Sequence, residues 1–200
     1  MALKVSLLVI SYVLGSIPFG YVIFKLFRGG DIRTLGSGNI GATNVGRFLG
    51  KKGWVGTFLL DGGKGVLAVV LTQRLIGDPA WAAFAGVLVI LGHNYSVFLK
   101  FRGGKGVATA LGVFAAIAPW AVLPSIALFI VMVFAFRYVS LGSITAAGTF
   151  PLFTYLFNYP LLVVIGAIAG GALIIGSHHS NIRRLLAGTE NSIGRKREES

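Results

Sequence analysis

Long apolar runs separated by short polar or turn segments dominate the chain. The first run covers residues 3–26 and is long enough to cross a bilayer at about 1.5 Å per helical residue. Gly15, Pro18 and Gly20 interrupt it, which neighbouring helices tolerate inside a membrane bundle. A polar, glycine-rich connection occupies 27–53, and apolar runs resume at 54–76, 80–99, 106–119, 120–136, 140–157 and 160–178. Turn signals at Gly77-Asp78-Pro79, Pro119-Trp120 and Asn158-Tyr159-Pro160 separate them. The pattern predicts an all-α integral membrane protein, a single polytopic domain over 1–200 with about seven transmembrane helices. The run 106–119 is short, so it crosses with little tilt, thins the bilayer or is re-entrant. Lys4 resembles the start of a signal peptide, but no A-x-A-like cleavage site follows, and a retained helix is expected.

Composition agrees. Of 200 residues 55% are apolar and 12% charged, against about 25% charged in soluble domains. There is no cysteine, which excludes disulfides, thiol chemistry and cysteine–metal sites. The net charge of +12 does not point to nucleic acid, because the charge lies in loops between spans and not on a soluble basic face. Anionic lipid and anionic substrates are the better partners, with no obligate protein partner inferred. With spans alternating, one face collects Lys25, Arg28, Arg33, Arg47, Lys51, Lys52, Lys100, Arg102, Lys105, Arg137, Arg183, Arg184, Arg195, Lys196 and Arg197, fifteen of the eighteen basic residues. The opposite face receives Lys4 and Arg74, and Lys64 lies inside a span. The positive-inside rule then sets the N-terminus outside and the C-terminus in the cytoplasm. The last residues, Arg195 to Ser200, read as a solvated, frayed end.

Three polar segments carry candidate chemistry. The first is Gly92–Gly106, GHNYSVFLKFRGGKG, where Lys100, Arg102 and Lys105 surround Gly103-Gly104. Glycine N–H groups approach phosphate oxygens closely and a lysine adds a mobile charge, although a basic juxtamembrane loop is the plain alternative. GGKGV also occurs at Gly62–Val66, weak evidence of duplication. The second is Gly36–Arg47, GSGNIGATNVGR. If helical from about Asn39, it puts Asn39, Thr43 and Arg47 on one face, with Ser37 or Asn39 at the N-cap, where free N–H groups attract an anion. The third is His178-His179-Ser180-Asn181-Ile182-Arg183-Arg184, in which His178 and Asn181 share a face and Glu190 follows. An imidazole there suits a hydrogen-bond donor or general base, whereas the two arginines fit a helix C-terminus without further function. Asp61 and Lys64 inside a span are costly unless paired or facing a cavity. His93 and Asn94 suit an interhelical hydrogen bond as well as catalysis. On the derived topology all these segments reach the cytoplasmic side, where they form a pocket for phosphorylated substrates beside an apolar resting place for an acyl chain.

The chain resembles the PlsY-type acyl-phosphate:glycerol-3-phosphate acyltransferases of bacterial membranes. The resemblance rests on LGSIPFGYVI (Leu14–Ile23), GSGNIGATNVGR (Gly36–Arg47), Asp61-x-x-Lys64-Gly65, GHNYSVFLKFRGGKGVAT (Gly92–Thr109) and the tail from His178 to Asn191. It implies a multi-pass inner-membrane enzyme with a cytoplasm-facing site that acylates the 1-hydroxyl of glycerol 3-phosphate from acyl phosphate. The products are lysophosphatidic acid and inorganic phosphate, at the first acylation of phospholipid biosynthesis, without cofactor or metal. Carried over, Lys105, His178 and Asn181 are the catalytic candidates. Ser37, Asn39, Arg47, Gly103, Gly104, Ser143 and Glu190 are the substrate- and phosphate-binding ones. The general base is His178 or a substrate phosphate. None of His93, His178 and His179 has an aspartate five residues on, so the H-x-x-x-x-D dyad of the soluble-type acyltransferases is absent.

Rival readings fit less well. A phosphate transporter should gather broken helices at the midplane, and a CDP-alcohol phosphotransferase needs clustered aspartates where this chain has only Asp31, Asp61 and Asp78. A non-catalytic scaffold has no need of His178, Asn181 and two glycine–cation segments on one side.

Overall fold

The computed structural model describes residues 1–194, so the expected frayed end at Arg195–Ser200 and its three cations lie outside the described residues. The described residues are helical, without a strand. The helices are α1 (Ala2–Ser16), α2 (Phe19–Arg28), α3 (Ala42–Ile76), α4 (Pro79–Asn94), α5 (Val107–Ile117), α6 (Pro119–Phe136), α7 (Val139–Leu156), α8 (Leu161–Ser177) and α9 (His179–Leu186). Five stretches are long and apolar enough to cross a membrane: Ala2–Arg28, Ala42–Ile76, Pro79–Leu99, Pro119–Phe136 and Val139–Leu156. The pair α8 and α9, bent by 59°, makes a sixth when taken as one span, and α5 is a shorter apolar helix.

Breaks follow local chemistry. Pro18 has no N–H and disfavours helix before it, so Ile17 is extended (φ −61°, ψ 115°) and α1 gives way to α2. The helix carrying 54–76 starts at Ala42, inside what the hydropathy pattern reads as connection, and kinks at Gly50 (φ 67°, ψ −160°). Asp78 caps α4 by accepting the Ala80 N–H.

The main core gathers Val69, Val89, Ile90, Val113, Phe114, Phe150 and Ala167 from α3, α4, α5, α7 and α8. A second cluster of Phe24, Ile32, Ile40, Val45 and Leu99 seats the 29–41 connection against α2 and α3. Helices α6 and α3 turn Ile130, Phe134, Leu59 and Leu67 outward, as expected of lipid-facing surface. Small residues permit close approach where α3 meets α5: a Cβ on Gly112 would lie 2.0 Å from the Gly62 carbonyl oxygen. The two GGKGV copies fold differently, the first inside α3 and the second as the loop entering α5, so the sequence repeat is not a structural one.

Gly112→Val should therefore split α3 from α5 and destabilise the protein by about 1–3 kcal/mol or more. Gly63→Ala, where a Cβ meets nothing within 4 Å, should leave the thermal midpoint in detergent unchanged or slightly raised.

Candidate active site

Residues 36–47 are organised by Asn44. Its side chain accepts the Ser37 N–H (3.0 Å) and donates to the carbonyls of Leu35 (3.0 Å) and Asn39 (2.9 Å). The helix does not start at Asn39, whose carbonyl is engaged there. The Asn39 carboxamide instead accepts the Gly41 N–H (2.8 Å), and Gly41 is the N-cap of α3. The expected Asn39–Thr43–Arg47 helical face is thus corrected: Thr43 and Arg47 lie one turn apart on α3, and Asn39 reaches the same cavity from a turn.

The glycine pair before Lys105 also has a different task from the expected one. The Gly104 and Gly103 N–H groups donate to the carbonyls of His93 (2.9 Å) and Asn94 (3.1 Å), the last two residues of α4. A Cβ on Gly104 would lie 2.0 Å from His93 Nε2. These glycines let the loop close over His93; their N–H groups cap a helix and do not line the cavity. Lys105 follows and donates to Asn181 Oδ1.

The turn between α8 and α9 supplies the third group. The Ile174 carbonyl takes a hydrogen bond from His178 Nδ1 (2.8 Å), which leaves Nε2 with the lone pair when the ring is neutral. Asn181 Nδ2 donates to Glu190 Oε1 (2.7 Å), Ser140 Oγ donates to the same oxygen (2.9 Å), and Arg184 Nε donates to Oε2 (2.7 Å). Burial pushes the Glu190 carboxyl up, but these three donors outweigh it and hold the group below its usual value. Glu190 lines the cavity, and both its oxygens accept hydrogen bonds from Ser140, Asn181 and Arg184. Burial lowers Lys105 to about 8; the Glu190 carboxylate opposes this, and Arg184 and Arg47 add to it.

These groups open on one cavity of about 2120 Å³. Ser37, Asn39, Arg47, Lys105, Ser143, His178, Asn181 and Glu190 all line it. Its apolar wall continues through Phe58, Leu111, Phe114, Phe129, Val133 and Phe150 between α3, α5, α6 and α7. The volume exceeds the roughly 300–1,000 Å³ of a drug-sized pocket, enough for two substrates together. Residues Gly188–Gly194 also line it, tied down by the Ile193 N–H to the Arg137 carbonyl (2.8 Å).

The model of the family described as glycerol-3-phosphate acyltransferase matches residues 5–188. The chain belongs to that family. The family member from Geotalea daltonii is 46% identical over 191 residues, covering 96% of this chain and 98% of its own. That from Aquifex aeolicus is 48% identical over 186 residues, 92% of this chain and 96% of its own. Two crystal structures of PlsY, an integral membrane glycerol 3-phosphate acyltransferase, match at 47% identity and 96% coverage of this chain. The glycerol 3-phosphate form has a TM-score of 0.91 over 96% of its chain, and the lysophosphatidic acid form 0.89 over 95%.

Within this member of the family, Ser140 joins the site although nothing in the sequence marked it, and Asn44 and Arg184, both inside segments singled out along the chain, take part through contacts their spacing does not show. Arg184 at i+3 from Asn181 was the one available signal, and a helix-end arginine explains itself otherwise. Asp61, Lys64 and His93 form a buried cluster beside the cavity. Lys64 Nζ lies 2.9 Å from Asp61 Oδ1 and donates to the Ile17 carbonyl (2.8 Å) at the break between α1 and α2, and His93 Nδ1 lies 3.5 Å from Asp61.

The sign of one pH dependence follows. Lys105 is a cation below about 8 and neutral above it, so an anion held by that cation is released as pH rises. Inorganic phosphate measured by calorimetry should bind progressively more weakly between about pH 8 and 10, and Lys105→Ala should remove that alkaline limb along with most of the affinity.

Proposed function

We propose that the protein transfers a fatty acyl group from acyl phosphate to the 1-hydroxyl of glycerol 3-phosphate, giving lysophosphatidic acid and inorganic phosphate. The observation that carries this is the single cavity in which Arg47, Lys105 and Asn181 meet a long apolar wall. The forms in which the PlsY neighbours were solved support the acceptor and the product. The reading places one polytopic domain in the bacterial inner membrane with seven spans. That number takes in the five long stretches, the bent α8–α9 pair and α5. The cavity end carries Arg47, Lys105, Arg137 and Arg184, whereas Lys4 and Arg74 lie at the other, which supports an outside N-terminus and a cytoplasmic site.

Acyl phosphate is a mixed anhydride with a good leaving group, so the acceptor hydroxyl can attack its carbonyl directly. Two phosphorylated substrates repel one another, and Arg47, Lys105 and Arg184 offset that repulsion while bringing hydroxyl and carbonyl together. The Lys105 ammonium and the Asn181 carboxamide stabilise the developing oxyanion and the departing phosphate. The carbonyl carbon gains the hydroxyl oxygen, the carbon–phosphate oxygen bond breaks, and the hydroxyl proton leaves with a phosphate. His178 Nε2 is the alternative acceptor, but a proton there would add a cation beside Lys105. The phosphate is therefore the better base.

The test is phosphate release by purified protein given palmitoyl phosphate, with and without glycerol 3-phosphate and with a metal chelator present. Release that depends on the acceptor and yields lysophosphatidic acid supports the reading; none from folded protein sinks it. Arg47→Ala and Lys105→Ala should each lower kcat/KM by about a hundredfold or more while the protein remains extractable. Retained turnover in both would remove this cavity from the reaction.

A further inference from the structure

We propose that Asn94, which does not line the cavity, is the positioning residue that fixes the gap between Lys105 and the His178–Asn181 turn. The proposal rests on the reaction assigned above.

The two sides of the polar site belong to different elements. Lys105 lies on the loop into α5, and that loop hangs from the end of α4 through Gly104 N–H to the His93 carbonyl and Gly103 N–H to the Asn94 carbonyl. His178 and Asn181 lie where α8 turns into α9. The Asn94 side chain joins the two. Its Nδ2 donates both protons to the last turn of α8, to the Leu173 carbonyl (3.1 Å) and to Ser177 Oγ (2.9 Å). Its Oδ1 lies under the start of α5, 2.7 Å from where a Cβ on Gly106 would stand. Asn94 is 4% exposed, so both Nδ2 bonds are made away from water.

Chemistry specifies the residue type. An aspartate would set a carboxylate oxygen against the Leu173 carbonyl, and an apolar side chain would leave that carbonyl and the Ser177 hydroxyl without their donor. The tie also works against a load. Arg47 and Arg184 both repel Lys105, and the Lys105–Asn181 hydrogen bond spans the gap across the cavity. Next along the chain, Ser96 Oγ donates to the Ser16 carbonyl and Tyr12 OH to the Tyr95 carbonyl, which anchors the same segment to α1. With α4 held on that side, losing Asn94 should displace the α8–α9 turn relative to Lys105.

The cysteine-free chain allows two nitroxide labels, at Lys100→Cys and Arg183→Cys, both exposed and outside the site. In the labelled parent the electron–electron distance should be narrowly distributed. Asn94→Ala should broaden or lengthen it and lower kcat with palmitoyl phosphate by about 10- to 100-fold, the scale of a roughly 1 Å misplacement. Ser177→Ala removes one of the two bonds and should shift both readings less; it carries the test if Asn94→Ala does not accumulate. An unchanged distance in these variants overturns the tie, whether or not turnover falls. A broadened distance with full turnover overturns the positioning role. A labelled parent that is folded but does not turn over acyl phosphate would strike the assigned reaction instead.

Discussion

The Glu190 carboxylate makes the polar end of this bundle possible. Arg184 donates to it directly, Lys105 reaches it through Asn181, and Ser140 brings in α7. Without that charge, cations gathered in a partly dry place would repel and hydrate. With it, α5, α7 and α9 are tied at one point, and the tail that bears Glu190 is drawn along the cavity. The neutralisation is incomplete, since Lys105 and Arg184 share the one Glu190 carboxylate in this network. A remaining positive field is what an anionic substrate needs, and a fully paired cluster would not provide it.

The same end is held open by interruptions in the helices. Each break frees carbonyls or N–H groups that must find partners inside an apolar protein. At the break before Pro18 the Ile17 carbonyl lies outside a regular helix, and it accepts from the Phe19 N–H and from Lys64, which also pairs with Asp61. The end of α4 frees the carbonyls that bind Gly103 and Gly104. At the end of α8 the Ile174 carbonyl accepts from His178 Nδ1 and so fixes the orientation of that ring. Side chains that would be expensive in a membrane thus serve as partners for backbone that regular helices would have satisfied themselves.

Much of this was legible along the chain, and the misses have physical causes. Apolar runs and turns set the helices, because a bilayer allows few alternatives for such segments. Arg47, Lys105, His178 and Asn181 were legible as cavity residues, since cations, amides and imidazoles at span ends have few other uses. The contacts of Gly103 and Gly104 with the end of α4 were not legible, because a glycine close to a phosphate and a glycine close to a histidine ring leave the same mark in sequence. Asn39 was misplaced because its neighbour Asn44 takes its carbonyl, a contest between side chain and backbone that spacing cannot show. Glu190 was visible but its role was not, since its three donors come from α7 and α9, distant along the chain or across a turn.

Burial of Lys105 links the structure to the chemistry proposed for it. Burial disfavours the charge of Lys105 and lowers its pKa to about 8, so an anion beside it is favoured. A phosphate that enters keeps the ammonium protonated, so binding and charging of Lys105 reinforce each other. The proposed anhydride donor fits this. If its leaving group is a phosphate, the negative charge that grows as the carbon–oxygen bond breaks falls on a species the cations already favour. On that proposal the protein needs no nucleophile of its own: holding two anions close, with the acceptor hydroxyl against the carbonyl, is the harder part of the task, and the network around Glu190 is suited to it.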